Sequence, residues 1–187
     1  MASVTKIVGV GSNETRTGSY TGWAASRVSR ITVDDGSQAD SDGDLQNLGY
    51  TDWLQGIMSG NEFAIAADQQ IDGIEVILDD VSCNGNPDNQ QGEDMYLVSS
   101  LGDSNVIDTG SEVTITETKT THTLGGPTDT WGLSLTPSVV NASSFGVRWA
   151  VIETANSNGK KSAVDSVKIT VYHSDAPSDE GNIIHID

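Results

Sequence analysis

The sequence predicts an all-β protein: an antiparallel β-sandwich that is jelly-roll-like and contains at most one short helix. Apolar and polar side chains alternate over short stretches, as at Ile74, Val76 and Leu78, which is typical of strands with one buried face. Gly, Asn and Asp residues, which favour turns, separate these stretches throughout the chain. About eight or more short strands joined by frequent turns are typical of a two-sheet sandwich.

The first candidate strands lie in the N-terminal part of the chain. Residues 6–10 form a short apolar stretch. In an extended conformation of residues 28–33, Ile31 and Val33 share one side. We therefore expect both stretches to be strands, followed by an aspartate-rich and glycine-containing loop at residues 34–44.

Residues 45–58 are the one segment in which a short helix competes with a strand. Leu54, Ile57 and Met58 have helical spacing, and the residues that follow could end a helix. Two glycines within the segment disfavour a helix. Both interpretations stay open at this point.

The later strands follow the alternating pattern more regularly. Val113 and Ile115 point to one side of a stretch rich in β-branched residues that continues to residue 123. The segment from 125 to 151 joins a glycine-rich turn to an apolar strand, on which Val147, Trp149 and Val151 share one face. We expect this segment to be central to the fold.

The most regular alternation lies in residues 164–173. The side chains expected to point inward are those of Val167, Ile169 and Val171, and those expected to point outward are Ser166, Lys168 and Thr170.

The chain carries 27 acidic and 9 basic residues, a formal net charge of −18. Such a surface repels phosphate groups, so neither nucleic acid nor an anionic membrane is an expected partner. Cys83 is the one cysteine, which excludes an intrachain disulfide and favours synthesis in a reducing cytoplasm. No segment approaches the roughly 20 consecutive apolar residues that span a bilayer as a helix.

At 187 residues the chain is expected to form one domain. We expect residues 1–19 to be an N-terminal arm or first strand, residues 20–174 to be the β-sandwich, and residues 175–187 to be a C-terminal tail.

No catalytic, cofactor-binding or metal-binding residue is predicted. Asp40, Asp42 and Asp44 have the spacing of a calcium loop, but the glycine at position 43 and the threonine at position 51 depart from the EF-hand pattern. An acidic solvated loop is therefore expected there. The sequence has no Gly-x-Ser-x-Gly or His-Glu-x-x-His motif, and its three histidines share no ligand spacing with Cys83.

Two tryptophans, Trp131 and Trp149, have two possible roles. They could form a stacking platform for sugars, or they could pack in the core. Val147 and Val151 flank Trp149 on one face, which favours core packing for Trp149.

The C-terminal tail carries the one interaction hypothesis that names residues. Ile183, Ile184 and Ile186 follow a polar linker, so they form an apolar segment on a tether. Each buried isoleucine contributes about 1.5–3 kcal/mol. We expect these residues to contact another subunit, with docking on the chain's own domain and a disordered tail as the alternatives.

Several motifs occur in an order that resembles a widespread group of bacteriophage virion proteins. They are Trp23, the residues 34–36, 71–76 and 125–132, Thr136 with Pro137, Val140 with Asn141, and the residues 144–147 and 164–172. The resemblance implies a jelly-roll module that decorates a capsid or belongs to a tail or fibre, with a structural role and no enzymatic activity. It also implies a homo-oligomer, a trimer by analogy, that binds the major capsid protein or other virion subunits.

The expected function is therefore that of a capsid decoration or cement protein, made in the cytoplasm of a bacterial host and located in the virion. A tail, fibre or baseplate module that binds a receptor or glycan is the alternative. A carbohydrate-active enzyme or a lectin with calcium in the loop at residues 34–44 is a third interpretation.

Overall fold

The structure is a computed structural model, and it describes residues 1–16, 20–43, 45, 49–83, 90–100, 104–106, 113–153 and 161–177 of the chain. The strands are β1 (Ala2–Ile7), β2 (Val10–Glu14), β3 (Ala39–Asp40), β4 (Trp53–Ile57), β5 (Gln69–Cys83), β6 (Gln90–Val98), β7 (Ser104–Val106), β8 (Val113–Ile115), β9 (Thr120–Gly125), β10 (Gly146–Glu153), β11 (Ser162–Val164) and β12 (Val167–Asp175). The helices in this part of the chain are a 3-10 helix, Val28–Thr32, and α1, Pro137–Val140.

The strands form two six-stranded sheets. The first sheet has the order β1-β12-β5-β11-β3, with β9 also paired to β5. The second has the order β2-β4-β10-β6-β7, with β8 also paired to β6. All pairings between these strands are antiparallel. The prediction of an all-β antiparallel sandwich is confirmed.

The core lies between the two sheets. Ile74, Val76 and Leu78 of β5 are all fully buried, as the alternating pattern predicts. Val147 and Trp149 of β10 face them from the second sheet and are each 2% exposed. One continuous cluster of buried apolar side chains contains residues of both sheets, so the sandwich has a single interior.

The first strand of the sequence prediction is divided between the sheets. β1 ends at Ile7 and pairs with β12 in the first sheet, whereas β2 begins at Val10 and pairs with β4 in the second. The backbone N–H of Val8 donates to the carbonyl of Val167, and that of Gly9 donates to the carbonyl of Ile57. Two consecutive amides thus bond to different sheets, and residues 6–10 are a crossover and not one strand.

The prediction of a strand at residues 28–33 is wrong, because residues 28–32 form the 3-10 helix. The N–H of Arg30 bonds to the carbonyl of Arg27, which closes a turn of this helix. Residues three apart lie on the same side of a 3-10 helix, so Val28 and Ile31 are buried together while Val33 is 50% exposed. The helix fits against Gly11, where a Cβ atom would lie 2.1 Å from the carbonyl oxygen of Val28.

The helical alternative for residues 45–58 is wrong, because Trp53–Ile57 is the strand β4. This strand pairs with β2 on one side and β10 on the other. Gly146 of β10 lies opposite Ile57, and a Cβ atom there would be 2.1 Å from the carbonyl oxygen of Gly56. Close pairing on both sides therefore overrides the helical spacing of Leu54 and its neighbours.

Three further details differ from the sequence prediction. The stretch from 113 to 123 is divided into β8 and β9, which belong to different sheets, although Val113 and Ile115 do share a buried side. Thr170 points to the outer side of the sheet, as expected, yet it is only 4% exposed. Its hydroxyl lies 2.9 Å from that of Thr5 on the neighbouring strand β1, which covers it. Ser166, also expected outward, precedes β12 and is fully buried.

No helix in the described ranges is long and apolar enough to cross a membrane.

The core role of Trp149 leads to a stability prediction. Its ring lies 5.9 Å from that of Trp23 between the sheets. We expect Trp149→Ala to lower the free energy of unfolding by about 3–5 kcal/mol, the usual cost of truncating a buried aromatic residue. Chemical denaturation measures the change, with Val33→Ala as the control at an exposed site. A loss below about 1 kcal/mol for Trp149→Ala would contradict the buried position.

His122 on β9 makes stability depend on pH. Burial lowers the pKa of His122 from its ordinary value of 6.5. As the pH falls below about 6.5, the unfolded chain binds a proton that the folded chain does not, so the free energy of unfolding decreases. We expect His122→Gln to reduce this decrease when denaturation is compared between about pH 7.5 and 5.5. An identical pH dependence in the variant would show that His122 does not contribute.

Candidate interaction surface

The outer side of the second sheet carries an arginine beside a tyrosine in one row of paired residues and apolar side chains in the next row. In one row, Gln55 of β4 and Tyr96 of β6 lie on either side of Arg148 of β10. These positions alternate with Leu54, Val147 and Trp149, which fill the core, so their side chains lie on the outer side of the sheet. In the next row, Val10 and Ile57 are directly paired. We call this surface the aromatic face; its members are Val10, Arg16, Tyr20, Tyr50, Trp53, Ile57, Tyr96, Val98 and Arg148.

Two arginines are stacked between aromatic rings on this face. The guanidinium carbon of Arg16 lies 4.5 Å from the centroid of the Trp53 ring, and it lies 5.0 and 5.4 Å from the rings of Tyr20 and Tyr50. That of Arg148 lies 4.9 Å from the ring of Trp53 on one side and 4.8 Å from the ring of Tyr96 on the other. All these distances fall within the range of cation–π attraction. The six side chains therefore form one continuous stack, with Trp53, Arg148 and Tyr96 on strands β4, β10 and β6 and the other three on the segments that flank the sheet.

Contacts between the rings reinforce the stack. Trp53 and Tyr96 meet edge to face at 5.1 Å, and Tyr20 and Tyr50 meet edge to face at 5.8 Å. Trp53 is only 8% exposed, while the two arginines and three tyrosines are half-buried. Trp53 is thus the covered centre of the stack, and its neighbours present the polar and aromatic edges to solvent.

Asp52 fixes the N-terminal side of the stack to the fold. Its carboxylate accepts hydrogen bonds from the backbone N–H of Arg16, at 3.1 Å, and from the side-chain amide of Asn13, at 3.2 Å. The same Asn13 accepts from the backbone N–H of Trp23, and the indole N–H of Trp23 donates to the carbonyl of Asp52. The segment after β2 is therefore held against the start of β4, which places Arg16 beside Trp53.

The outer side of the first sheet has a different composition. It carries hydroxyl and charged groups with a tyrosine and an isoleucine among them: Ser3, Thr5, Glu75, Ile77, Asp79, Thr121, Thr123, Lys168, Thr170 and Tyr172. The ammonium group of Lys168 lies 2.8 Å from the carboxylate of Asp34 and 2.9 Å from that of Asp79. The two outer surfaces therefore differ in chemistry: one is polar and the other is aromatic and arginine-containing.

The charges on the first sheet are mutually stabilised. Hydrogen bonds to Asp34 and Asp79 raise the pKa of Lys168, so its positive charge is retained. A hydrogen bond from the hydroxyl of Thr121, followed by that from Lys168, lowers the pKa of Asp79. This ion-pair network is fully formed at neutral pH and is lost on the acid side as Asp79 is protonated.

The predicted interaction residues Ile183, Ile184 and Ile186 lie outside the described residues, as do Asp44 and His185. Asp40 forms an ion pair with Arg27 at 2.8 Å. Among the residues that the structure describes, no group of three or more His, Cys, Asp or Glu side chains is arranged to hold a metal ion.

The tryptophans considered as a sugar platform are buried. Trp149 is 2% and Trp131 is 5% exposed, and the indole N–H of Trp131 donates to the carbonyl of Ile74 at 3.0 Å. The core interpretation of Trp149 is confirmed. Aromatic rings are instead presented to solvent by the stack around Trp53, which the sequence prediction missed.

No protein-family model matches the chain, and no curated protein sequence matches it significantly.

The stack should make a measurable contribution to stability. We expect a double-mutant cycle of Arg148→Met and Tyr96→Leu to give a coupling energy of about 0.5–1 kcal/mol, the usual size of an exposed cation–π pair. A control cycle of Arg30→Met with Tyr96→Leu should give no coupling, because Arg30 instead bonds to the carbonyl of Gln38. Equal coupling in both cycles would contradict a specific Arg148–Tyr96 interaction.

Proposed function

We propose that this chain is a non-enzymatic structural protein of a bacteriophage virion, a capsid decoration or cement protein that binds the major capsid protein through its aromatic face. The aromatic face is the observation that carries the proposal. Tyr, Trp and Arg are the residues most enriched at the energetic centres of protein interfaces. Here they are collected on one side of one sheet.

The distribution of charge supports the same surface. The chain has a net charge of −18, so a contact with another acidic surface requires basic groups at the point of contact. The aromatic face concentrates two of the 9 basic residues, Arg16 and Arg148, with Glu14 at its margin. A partner surface with apolar groups and exposed carboxylates would complement it.

Pre-organisation is a second supporting feature. Each arginine is already held between aromatic rings, so little side-chain freedom remains to be lost on binding.

A decoration protein needs many weak, repeated contacts with a shell and no chemistry of its own. The resemblance to phage virion proteins implies that shell as the partner and, by analogy, a trimer as the oligomer.

A tail, fibre or baseplate module that binds a glycan is the second candidate. The same stack favours it, because the tyrosine edges and arginine donors of a half-buried aromatic surface also suit sugar rings. The two candidates share the surface and differ in copy number and ligand.

The experiment uses phage particles that lack this protein because its gene has been deleted from the phage genome. It compares the binding of the purified wild-type chain and its variants to these particles. We expect Tyr96→Ala to weaken binding about tenfold or more, as for an interface hot spot. Tyr172→Ala is the matched control, because Tyr172 is also half-buried but lies on the outer side of the first sheet. Equal loss in both variants, or none in Tyr96→Ala, would reject the aromatic face as the docking surface.

Copy number in wild-type particles separates the two candidates. A decoration protein is present at a number comparable to that of the shell subunits, whereas a tail module is present in few copies. Quantitative mass spectrometry of purified particles measures this ratio. Absence of the chain from the particles would reject both virion functions.

A further inference from the structure

A cavity of about 390 Å³ lies at the edge of the first sheet, apart from the aromatic face. It is found where β11 pairs with both β3 and β5. The chemically distinctive residues that line it are Arg27, Arg30, Gln38, Asp40, Ser82 and Lys161.

The cavity is cationic on a strongly acidic chain. Among the residues that the structure describes, its lining contains 3 of the 9 basic residues, Arg27, Arg30 and Lys161, and one acidic residue, Asp40. The formal charge of these described side chains is therefore +2, whereas that of the whole chain is −18. Three cations around one cavity repel one another. An anion that binds between them offsets this repulsion.

Local contacts hold the arginines in place. Arg27 forms an ion pair with Asp40 at 2.8 Å, and Arg30 donates to the backbone carbonyl of Gln38 at 2.9 Å. The side-chain amide of Gln38 in turn donates to the hydroxyl of Ser82 at 3.0 Å and to the carbonyl of Asp80. A guanidinium has five N–H donors in a planar fork, so both arginines keep donors for a ligand after making these contacts.

We propose that this cavity binds a small multivalent oxyanion, a phosphate-bearing or polycarboxylate group. Guanidinium forks match the oxygen pairs of phosphate and carboxylate, and two of them with an ammonium group fit an anion with at least two charges. The volume lies near the lower end of the roughly 300–1,000 Å³ typical of small-molecule sites. The largely polar lining selects a charged ligand over an apolar one. The site does not depend on the proposed virion function.

Isothermal titration calorimetry with inorganic phosphate and with citrate tests the site. Calorimetry is preferable to a melting assay, because phosphate raises the stability of many proteins by exclusion from their surface. Ionic strength is kept constant with sodium chloride, since screening alone alters long-range attraction. We expect saturable binding at one site per chain, tighter for citrate or phosphate than for acetate.

Substitutions in the cavity decide whether the binding is specific. We expect Arg30→Gln and Lys161→Gln each to weaken binding about tenfold or more, the usual effect of losing a charged hydrogen bond. Arg30→Lys should recover part of the loss, because it restores the charge without the fork. Lys6→Gln, on β1, is the control that removes one positive charge outside the cavity lining.

Circular dichroism and the melting temperature establish that each variant is folded, and Lys161→Gln keeps the test valid if Arg30→Gln does not fold. Equal weakening in Lys6→Gln would mean unspecific attraction of anions, and no saturable heat would mean that the cavity binds no anion; either result would overturn the proposal. Sedimentation with and without saturating phosphate identifies the source of the anion. Dissociation of an oligomer by phosphate would assign the natural ligand to carboxylates of a second copy of this chain, and an unchanged sedimentation coefficient would assign it to a free anion.

Discussion

Burial of the inner sides of β5 and β10 is the constraint on which the other features depend. Each strand lies within its sheet, β5 beside β12 and β9 and β10 between β4 and β6. Their inward residues include Ile74, Leu78, Val147 and Trp149, which are almost completely removed from water. Because side chains alternate along a strand, this burial also fixes which residues point outward.

The aromatic face is a direct consequence of that alternation. Arg148 lies between Val147 and Trp149 in the sequence, so burying those two residues places Arg148 on the outer side of the sheet. Antiparallel pairing then brings Tyr96 beside it, and the anchored segment after β2 adds Arg16. The core and the proposed docking surface are therefore two sides of the same strands, and a change of register in β10 would disrupt both.

The sequence predicts the fold correctly where the pattern of apolar and polar residues within a single segment is enough to identify a strand and its buried side. The alternation of β5, β10 and β12 and the burial of Trp149 are examples. It is wrong at residues 28–33 and leaves residues 45–58 undecided, because backbone turns or strand partners distant in the sequence decide the structure there. The same limit explains why the aromatic face and the cationic cavity were missed. Their residues come from several separated segments, and no short motif connects Arg16 with Tyr96 or Arg27 with Lys161.

Hydroxyl-radical footprinting of intact particles tests the central claim that the aromatic face is covered by the viral shell. The measurement compares oxidation of Trp53 and Tyr96 in the purified chain and in the particle, with Tyr172 as the internal reference. The proposed docking predicts that oxidation of Tyr96 falls on assembly, while that of Tyr172 is unchanged. Unchanged oxidation of Tyr96 together with protection of Tyr172 would show that the first sheet, and not the aromatic face, contacts the shell.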